Sequence, residues 1–123
     1  MVPVEDPAAL DLPHWGPLFE HHSLFPQRVN TEFIRVDNPL SITMRVWERG
    51  SGETLACGTG ACATVVAACL LGLCPRDRDV TVHLLGGDLT VRYQSGGRVQ
   101  MTGPAAVICD GVIDPQTFSS PIQ

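Results

Sequence analysis

The chain has 123 residues, a net charge of −5 and a pI near 5.1. A chain of this length builds one modest core, so we expect a single domain, residues 1–123, with room for one functional site. The acidic balance, with eight basic residues that form no cluster, argues against a nucleic-acid-binding protein. The five cysteines match no zinc or iron–sulfur ligand spacing, so we expect no metal site.

The N-terminal segment MVPVEDPAAL lacks the basic region and apolar core of a secretory signal. We therefore expect a cytoplasmic protein whose cysteines are reduced thiols rather than disulfides. The longest apolar run, Ala61–Leu73, is shorter than the roughly 20 residues that cross a bilayer. The sequence thus predicts no membrane partner.

The N-terminal region predicts a short strand followed by two helices. The strand covers Val2–Glu5, and Asp6-Pro7 marks the start of a brief helix because proline fits the first helical turn. A second helix, His14–His22, is predicted by apolar residues at helical spacing: Trp15, Leu18 and Phe19. His21 and His22 point in different directions on a helix, which favours a solvated helix end over a metal site.

Two strands are predicted next, Arg28–Asp37 and Ser41–Gly50. Alternation in the second strand gives one largely apolar face, with these members: Ile42, Met44, Val46 and Glu48. Glu48 therefore falls on the apolar side of the strand. A carboxylate there is either paired or lies at a frayed strand end in contact with water, and the sequence leaves both alternatives open.

The longest uncharged stretch lies between Glu53 and Arg76 and predicts the central helix of the fold. Its residues are apolar or small on every side, so we expect protein to surround the helix completely. The segment in front of it, Cys57–Gly60, lies where unpaired N–H groups and the positive end of the helix dipole point outward. This arrangement is typical of an anion-binding site.

Two interpretations of Cys57 follow from its position. The helix dipole and N–H groups stabilise a thiolate at a helix N-terminus, which makes Cys57 a candidate nucleophile or base. Gly58 and Gly60 would let a small carboxylate approach the backbone, and Thr59 adds a hydroxyl donor. Alternatively, Cys57 is a small apolar residue that fills a tight turn. The other cysteines lie in or beside apolar segments and are assigned to packing: Cys62, Cys69, Cys74 and Cys109.

The same glycines formally match a dinucleotide-binding fingerprint, GxGxx(G/A), over Gly58–Ala63. That motif requires a βαβ unit with an acidic residue at the end of the strand that follows the helix. Asp77 and Asp79 lie before or at the start of this strand instead, and the strand forms part of a hairpin. The context therefore disfavours a dinucleotide site.

The C-terminal part predicts further strands. Asp79–Leu85 and Asp88–Tyr93 form a hairpin across Gly86-Gly87, with His83 on its polar face as an ordinary surface histidine. Two more strands are predicted, Arg98–Met101 and Ala105–Ile113.

The tail from Pro115 is expected to be loosely ordered. Because strands outnumber helices and most connections are short, we predict an α+β fold. It consists of a curved, mostly antiparallel sheet or partial barrel wrapped around one central apolar helix.

The segment Val46–Ala63, VWERGSGETLACGTGACA, resembles the second active-site signature of the diaminopimelate epimerase family. Other segments resemble the family in the same order: Phe25-Pro26, Arg28–Asn30, Gly86–Asp88 and Met101–Ala105. The resemblance implies an isomerase without cofactors. It would interconvert L,L- and meso-diaminopimelate in lysine and peptidoglycan precursor biosynthesis.

The resemblance also implies roles for individual residues. In this family two cysteines, one from each of two similar domains, act as base and acid on opposite faces of the substrate α-carbon. Cys57 matches the cysteine of the second domain. Gly58 and Thr59 would donate N–H groups to the substrate carboxylate, where charge develops during the reaction.

The remaining implied residues contact other parts of the substrate. Glu48 would accept a hydrogen bond from the ammonium group at the reacting centre. Arg49 would hold the distal carboxylate, for which a planar guanidinium is suited. Asn30 would contact the distal end of the substrate.

The sequence departs from the family in one large respect. It lacks the first domain, with its own Cys-Gly-Asn-Gly turn, and the Gly-Asn-Pro-His segment before the second. We therefore expect the C-terminal half of an epimerase, inactive alone, that associates with the missing N-terminal domain or with itself through an exposed interdomain surface. The alternative is a non-catalytic domain that binds a small amino acid or another anion.

Overall fold

The computed structural model describes residues 1–114. The strands are β1 (Val2–Pro3), β2 (Thr31–Asn38), β3 (Ser41–Glu48), β4 (Gly52–Thr54), β5 (Asp79–Leu84), β6 (Gly87–Tyr93) and β7 (Val99–Thr102). The helices are a 3-10 turn (Pro7–Ala9), α1 (Leu12–Glu20) and α2 (Gly58–Leu70). The predicted α+β class is confirmed.

The strands of the described region form one open, mixed sheet. Their order is β1-β2-β3-β5-β6-β7, and β4 pairs with β3 beside this path. Antiparallel pairings predominate, as predicted, but β1–β2 and β3–β5 are parallel. Because parallel neighbours need a crossover, the chain leaves β3, passes through β4 and α2, and returns as β5.

The core lies between the sheet and one face of α2. The predicted alternation in β3 is confirmed, since Ile42, Met44 and Val46 are buried together. They belong to a cluster with residues of α2, β5 and β6: Ala61, Val65, Ala68, Val80, Val82 and Val91. Full burial of an aliphatic side chain of this size contributes about 1.5–3 kcal/mol, so this cluster fixes α2 on the sheet.

The expectation that protein surrounds α2 on every side is wrong for the described residues. Ala63 is exposed, and Leu70 at the end of the helix is 65% exposed. Leu71 and Leu73 continue this exposed surface. The sheet covers one face of the helix, and residues 1–114 supply no second layer over the other face.

Several predicted boundaries shift for local reasons. The strand predicted from Arg28 begins at Thr31, because Arg28 has φ 62°, which is incompatible with a strand. The helix predicted from His14 begins at Leu12. Asp11 caps it by accepting a hydrogen bond from the His14 N–H, and a proline occupies its first turn.

The strand predicted for Ala105–Ile113 is absent: residues 103–114 contain no strand. The apolar pattern of this segment is typical of a strand, but a strand needs a neighbour for its backbone hydrogen bonds, and this segment pairs with none in the described region. The tail predicted to be loosely ordered, from Pro115, lies outside the described residues. No helix in residues 1–114 has the length and apolar character needed to cross a bilayer.

Candidate functional site

Cys57 lies at the junction of β4 and α2 and caps the helix. Its backbone is extended, with φ −138° and ψ 104°, and its carbonyl accepts the first helical hydrogen bond, from Ala61 N at 2.9 Å. The Gly60 N–H donates to Cys57 Sγ at 3.3 Å. The residue is only 6% exposed, so the thiol is held in a fixed position at the start of the helix.

Two backbone donors next to this thiol have no acceptor. The N–H groups of Gly58 and Thr59 donate to no group among residues 1–114. The Thr59 side chain is close as well, with its Oγ1 3.5 Å from Cys57 Sγ. Two unpaired N–H groups at the positive end of a helix dipole are prepared to bind an anion.

Glu48 lies near this turn because β4 pairs with the end of β3. The register places Gly52 opposite Glu48 and Thr54 opposite Val46, so β4 runs past Glu48 before the chain enters α2. Thr54 Oγ1 donates to Glu48 Oε1 at 2.5 Å, and the Glu48 side chain is half-buried. The structure combines the two alternatives that the sequence left open for this carboxylate, since it accepts a hydrogen bond and also lies half-buried at the end of β3.

Arg49 and Asn30 are joined to each other directly. The Arg49 N–H donates to Asn30 Oδ1 at 2.8 Å, and Arg49 Nη1 donates to the carbonyl of Gln27 at 2.9 Å. The Arg49 side chain is otherwise exposed, while Asn30 is half-buried. The structure therefore brings the predicted site residues together in two groups. The first group is Cys57 with Gly58 and Thr59. The second group lies at the end of β3 and consists of Glu48, Arg49 and Asn30.

A carboxylate that sequence analysis missed holds the second group in place. Glu20, buried at the end of α1, accepts hydrogen bonds from Trp47 Nε1 at 2.7 Å and from Gly50 N at 3.0 Å. Arg28 Nη1 pairs with it at 3.3 Å. The hydrogen bond from Trp47 lowers the pKa of Glu20 and, together with the Gly50 N–H and nearby cations, outweighs the opposing effect of burial. Glu20 thus fixes the turn that carries Arg49.

Glu32 is a second carboxylate that was missed. It is buried on β2, on the face of the sheet that α2 covers, and it lies opposite Val46. A signal for it exists in the sequence, because alternation in the predicted strand places Glu32 on the same face as Ile34. This is the argument that singled out Glu48.

The remaining cysteines differ from Cys57 in their surroundings. Burial raises the pKa of the Cys62 thiol, and the neighbouring Cys57 raises it further. Burial is also the main cause that raises the pKa of Cys69 and of Cys74. Cys109 is exposed, so its assignment to packing was wrong, because the segment that carries it does not fold back onto the sheet.

Residues 1–114 contain no cluster of three or more side chains suited to a metal ion. His83 bonds to Asp88 at 2.8 Å and to Ser41 at 3.0 Å, and so links β5 to β6 and β3. Two cavities, of about 290 and 150 Å³, are lined by residues of the N-terminal segment and of the sheet face opposite α2; Cys57 lines neither.

Comparisons with known proteins give the family and the fold of the chain. The sequence profile described as diaminopimelate epimerase matches residues 1–108 of the chain. The chain belongs to the diaminopimelate epimerase family. The resemblance seen in the sequence is thereby confirmed.

Individual relatives show how much of a family member is present. Diaminopimelate epimerase of Synechococcus elongatus is 56% identical over 111 residues, which are 90% of this chain and 39% of the relative. The enzyme of Desulfitobacterium hafniense is 56% identical over 110 residues, or 89% of this chain and 38% of the relative. The enzyme of Bacillus cytotoxicus is 53% identical over 111 residues, which are 90% of this chain and 38% of the relative. The chain thus spans about two fifths of these relatives.

A solved structure supports the fold independently. The crystal structure of a Bacillus anthracis phenazine biosynthesis protein of the PhzF family superposes with a TM-score of 0.55. It is 22% identical, and the match covers 80% of this chain and 32% of that protein. At this identity the likeness shows a shared fold.

Proposed function

We propose that residues 1–123 are the C-terminal half of a diaminopimelate epimerase that works without a cofactor and interconverts the L,L and meso isomers. The observation that carries this proposal is the position of Cys57, which caps α2 beside the unpaired N–H groups of Gly58 and Thr59. Family membership supports the same reaction class, because the relatives are named diaminopimelate epimerase.

The proposed reaction moves one proton on each face of the α-carbon. In one direction Cys57, as a thiolate, removes the α-proton, and a thiol from the other half of the enzyme delivers a proton to the opposite face. In the reverse direction the two roles exchange, so the protonation states belong to the pair of thiols. Carbanion charge develops beside the substrate carboxylate, and the fixed N–H groups of Gly58 and Thr59 stabilise it as it forms.

The second group of residues would bind the rest of the substrate. Glu48 accepts a hydrogen bond from the ammonium group, and Thr54 holds its carboxylate in place. Arg49 binds the distal carboxylate in a charge-assisted contact, and Glu20 keeps its turn rigid. Asn30, whose Oδ1 accepts the Arg49 N–H, offers its amide N–H groups to the same end of the substrate.

Under this proposal the isolated chain is inactive, because the chain supplies only one thiol of the pair and leaves the other face of the substrate uncovered. The other thiol would come from the N-terminal domain, which would cover the surface around Cys57. The exposed apolar residues at the C-terminal end of α2, roughly 20 Å along the helix from Cys57, offer a further association surface, since large apolar patches commonly mark such surfaces.

Exchange of the α-hydrogen of L,L-diaminopimelate in D2O, followed by NMR, tests the proposal. The chain is assayed alone and then mixed with the separately produced N-terminal domain of the Synechococcus elongatus relative. We expect exchange only in the mixture, reduced at least a hundredfold by Cys57→Ala because an acid–base group is lost. Cys109→Ala, which changes an exposed thiol, should leave the rate unchanged.

The second candidate function is binding of a small amino acid or another anion without chemistry. The unpaired N–H groups of Gly58 and Thr59 favour it, because they need no partner thiol to bind a carboxylate. Absence of exchange in the mixture, with both samples folded and calorimetric binding of diaminopimelate to this chain, would replace the epimerase proposal with this one.

A further inference from the structure

Glu32 is a buried charge that the proposed reaction does not use. The residue is 7% exposed and lies on the face of the sheet that α2 covers. Its carboxylate lies 3.7 Å from the Met1 amino group, and no hydrogen-bond donor among residues 1–114 reaches it. The ion pair with Met1 offsets part of the cost of burying this charge, and it engages Oε2, whereas Oε1 lies against the first turn of α2.

The structure places this carboxylate beside the candidate thiol. The point at which a Gly60 Cβ would lie is 2.8 Å from Glu32 Oε1 and 3.2 Å from Cys57 Sγ. Glu32 Oε1 and Cys57 Sγ are therefore at most about 6 Å apart, on the side of the turn where Gly60 lacks a side chain. Gly60 also donates its N–H to Cys57 Sγ, so Glu32 packs against the residue that holds the thiol.

We propose that Glu32 is a positioning residue for Cys57, whose negative charge favours the thiol over the thiolate and so favours Cys57 as proton donor. This inference rests on the proposed acid–base role of Cys57. The N–H groups and dipole of α2 stabilise a thiolate, and a carboxylate against the same turn opposes them. A group that must act as acid in one direction and base in the other requires such a balance.

Three other ionisable groups belong to this part of the molecule. The Met1 amino group pairs with Glu32 Oε2 and offsets part of its charge, while Oε1 is the oxygen that lies at Gly60. Glu48 of β3 is half-buried and accepts a hydrogen bond from Thr54, which offsets its charge. Cys62 of α2 is a neutral thiol at neutral pH, because burial and then Cys57 raise its pKa. Glu32 combines burial, a charge and contact with the first turn of α2.

Alkylation rates of the individual cysteines test this inference on the chain as it is. Iodoacetamide is neutral and iodoacetate is negative, and peptide mass spectrometry reads each cysteine separately, with exposed Cys109 as internal reference. At pH 7 we expect Glu32→Gln to raise the iodoacetamide rate at Cys57 about three- to tenfold and the iodoacetate rate by a larger factor. Glu5→Gln makes the same charge change at an exposed position and should alter neither rate.

The ratio of the two rates separates charge from loosening. Equal acceleration by both reagents would mean that Glu32→Gln only opens the turn, and unchanged rates would mean that the charge has no effect; either result overturns the proposal. Glu32→Asp keeps the charge and should keep the parent ratio. If Glu32→Gln does not fold, Glu32→Met carries the same expectation, since its apolar side chain suits a buried position.

The labelling measurement requires no turnover, so the two proposals fail separately. An altered ratio in Glu32→Gln without α-hydrogen exchange in the two-half mixture would overturn the epimerase proposal alone. An unchanged ratio with normal exchange would overturn the role of Glu32 alone.

Discussion

The first turn of α2 leaves no room for a side chain at Gly60. A Cβ there would lie 2.8 Å from Glu32 Oε1, closer than real Cβ contacts, and 3.2 Å from Cys57 Sγ. A side chain at this position would therefore have to displace the end of the Glu32 side chain and press on Cys57 Sγ. The residue brings a carboxylate and a thiol against one point of the backbone.

Gly60→Ala should displace both groups. We expect overpacking to lower the free energy of unfolding by about 1–3 kcal/mol, partly offset by the better helix propensity of alanine. The alkylation rate of Cys57 should rise, because the thiol loses its fixed position. Urea unfolding and alkylation kinetics measure both effects. Gly96→Ala, at a position with nothing within 4 Å, is the matched control, and equal behaviour of the two variants would contradict the expectation.

The buried thiols predict a decline of stability at alkaline pH. Burial, and secondarily Cys69, raises the pKa of Cys74 in the folded chain above its unfolded value of about 8.5. Between these two pKa values the unfolded chain loses the Cys74 proton and the folded chain keeps it. The contribution of Cys74 to the free energy of unfolding is therefore complete at lower pH and is lost as pH rises through the folded pKa. Urea midpoints from pH 7 to 10 should fall less steeply in Cys74→Ala than in the parent. Cys109→Ala should retain the parent slope.

At the scale of elements, α1 and the turn between β3 and β4 form one unit. Glu20 at the end of α1 binds both Trp47 and Gly50, and Gly16 of the same helix packs against the Trp47 ring. The helix therefore determines where the turn lies, and the turn carries Arg49. Residues of α1 would not contact a substrate themselves, but they position Arg49, which is proposed to bind one.

Glu20→Gln should destabilise the chain in a pH-dependent way. The pKa of Glu20 is lowered in the folded state, chiefly by the Trp47 hydrogen bond. Its contribution to the free energy of unfolding is therefore complete above the unfolded pKa of about 4.3 and is lost as pH falls through the folded pKa. The variant should have a lower urea midpoint at pH 7, and the difference should shrink at pH 3. Glu5→Gln, at an exposed position, should match the parent at both pH values. A constant difference would show that the charge is not the cause.

At the scale of the whole molecule, large apolar side chains remain exposed on several segments of residues 1–114, and two of these segments adjoin elements of the candidate site. One is the end of α2, and the other is the segment after β7, where Ile108 is 96% exposed. Patches of this kind commonly drive association. The first segment belongs to the helix that Cys57 caps, and the second follows the strand that carries Met101. Met101 in turn packs against Gly58.

The isolated chain should therefore self-associate. We expect sedimentation velocity to show a weight-average mass that rises with concentration, and Ile108→Lys to reduce this rise because a charge opposes apolar contact. Gln27→Lys adds the same charge at an exposed polar position and should leave association unchanged. A strictly monomeric profile across a wide concentration range would contradict the expectation.

Local patterns in the sequence determined much of this protein. The alternation of β3 predicted its buried face, because a period of 2 residues is a property of a single segment. The apolar composition of α2 predicted a helix, but it did not predict which side would stay uncovered. The position of Cys57 at a helix N-terminus and of Glu48 on an inner face followed in the same way. Resemblance to the family added expected roles for Asn30 and Arg49, which remain predictions.

Only the tertiary structure decided which segments meet. It made β3 and β5 parallel neighbours, left one face of α2 open and gave the Ala105–Ile113 segment no partner strand. It also brought Glu20 to Trp47 and Glu32 to Gly60, pairs separated by 27 and 28 residues along the chain. Such contacts depend on the pairing of distant segments, and a local period carries no information about the partner that a face will meet.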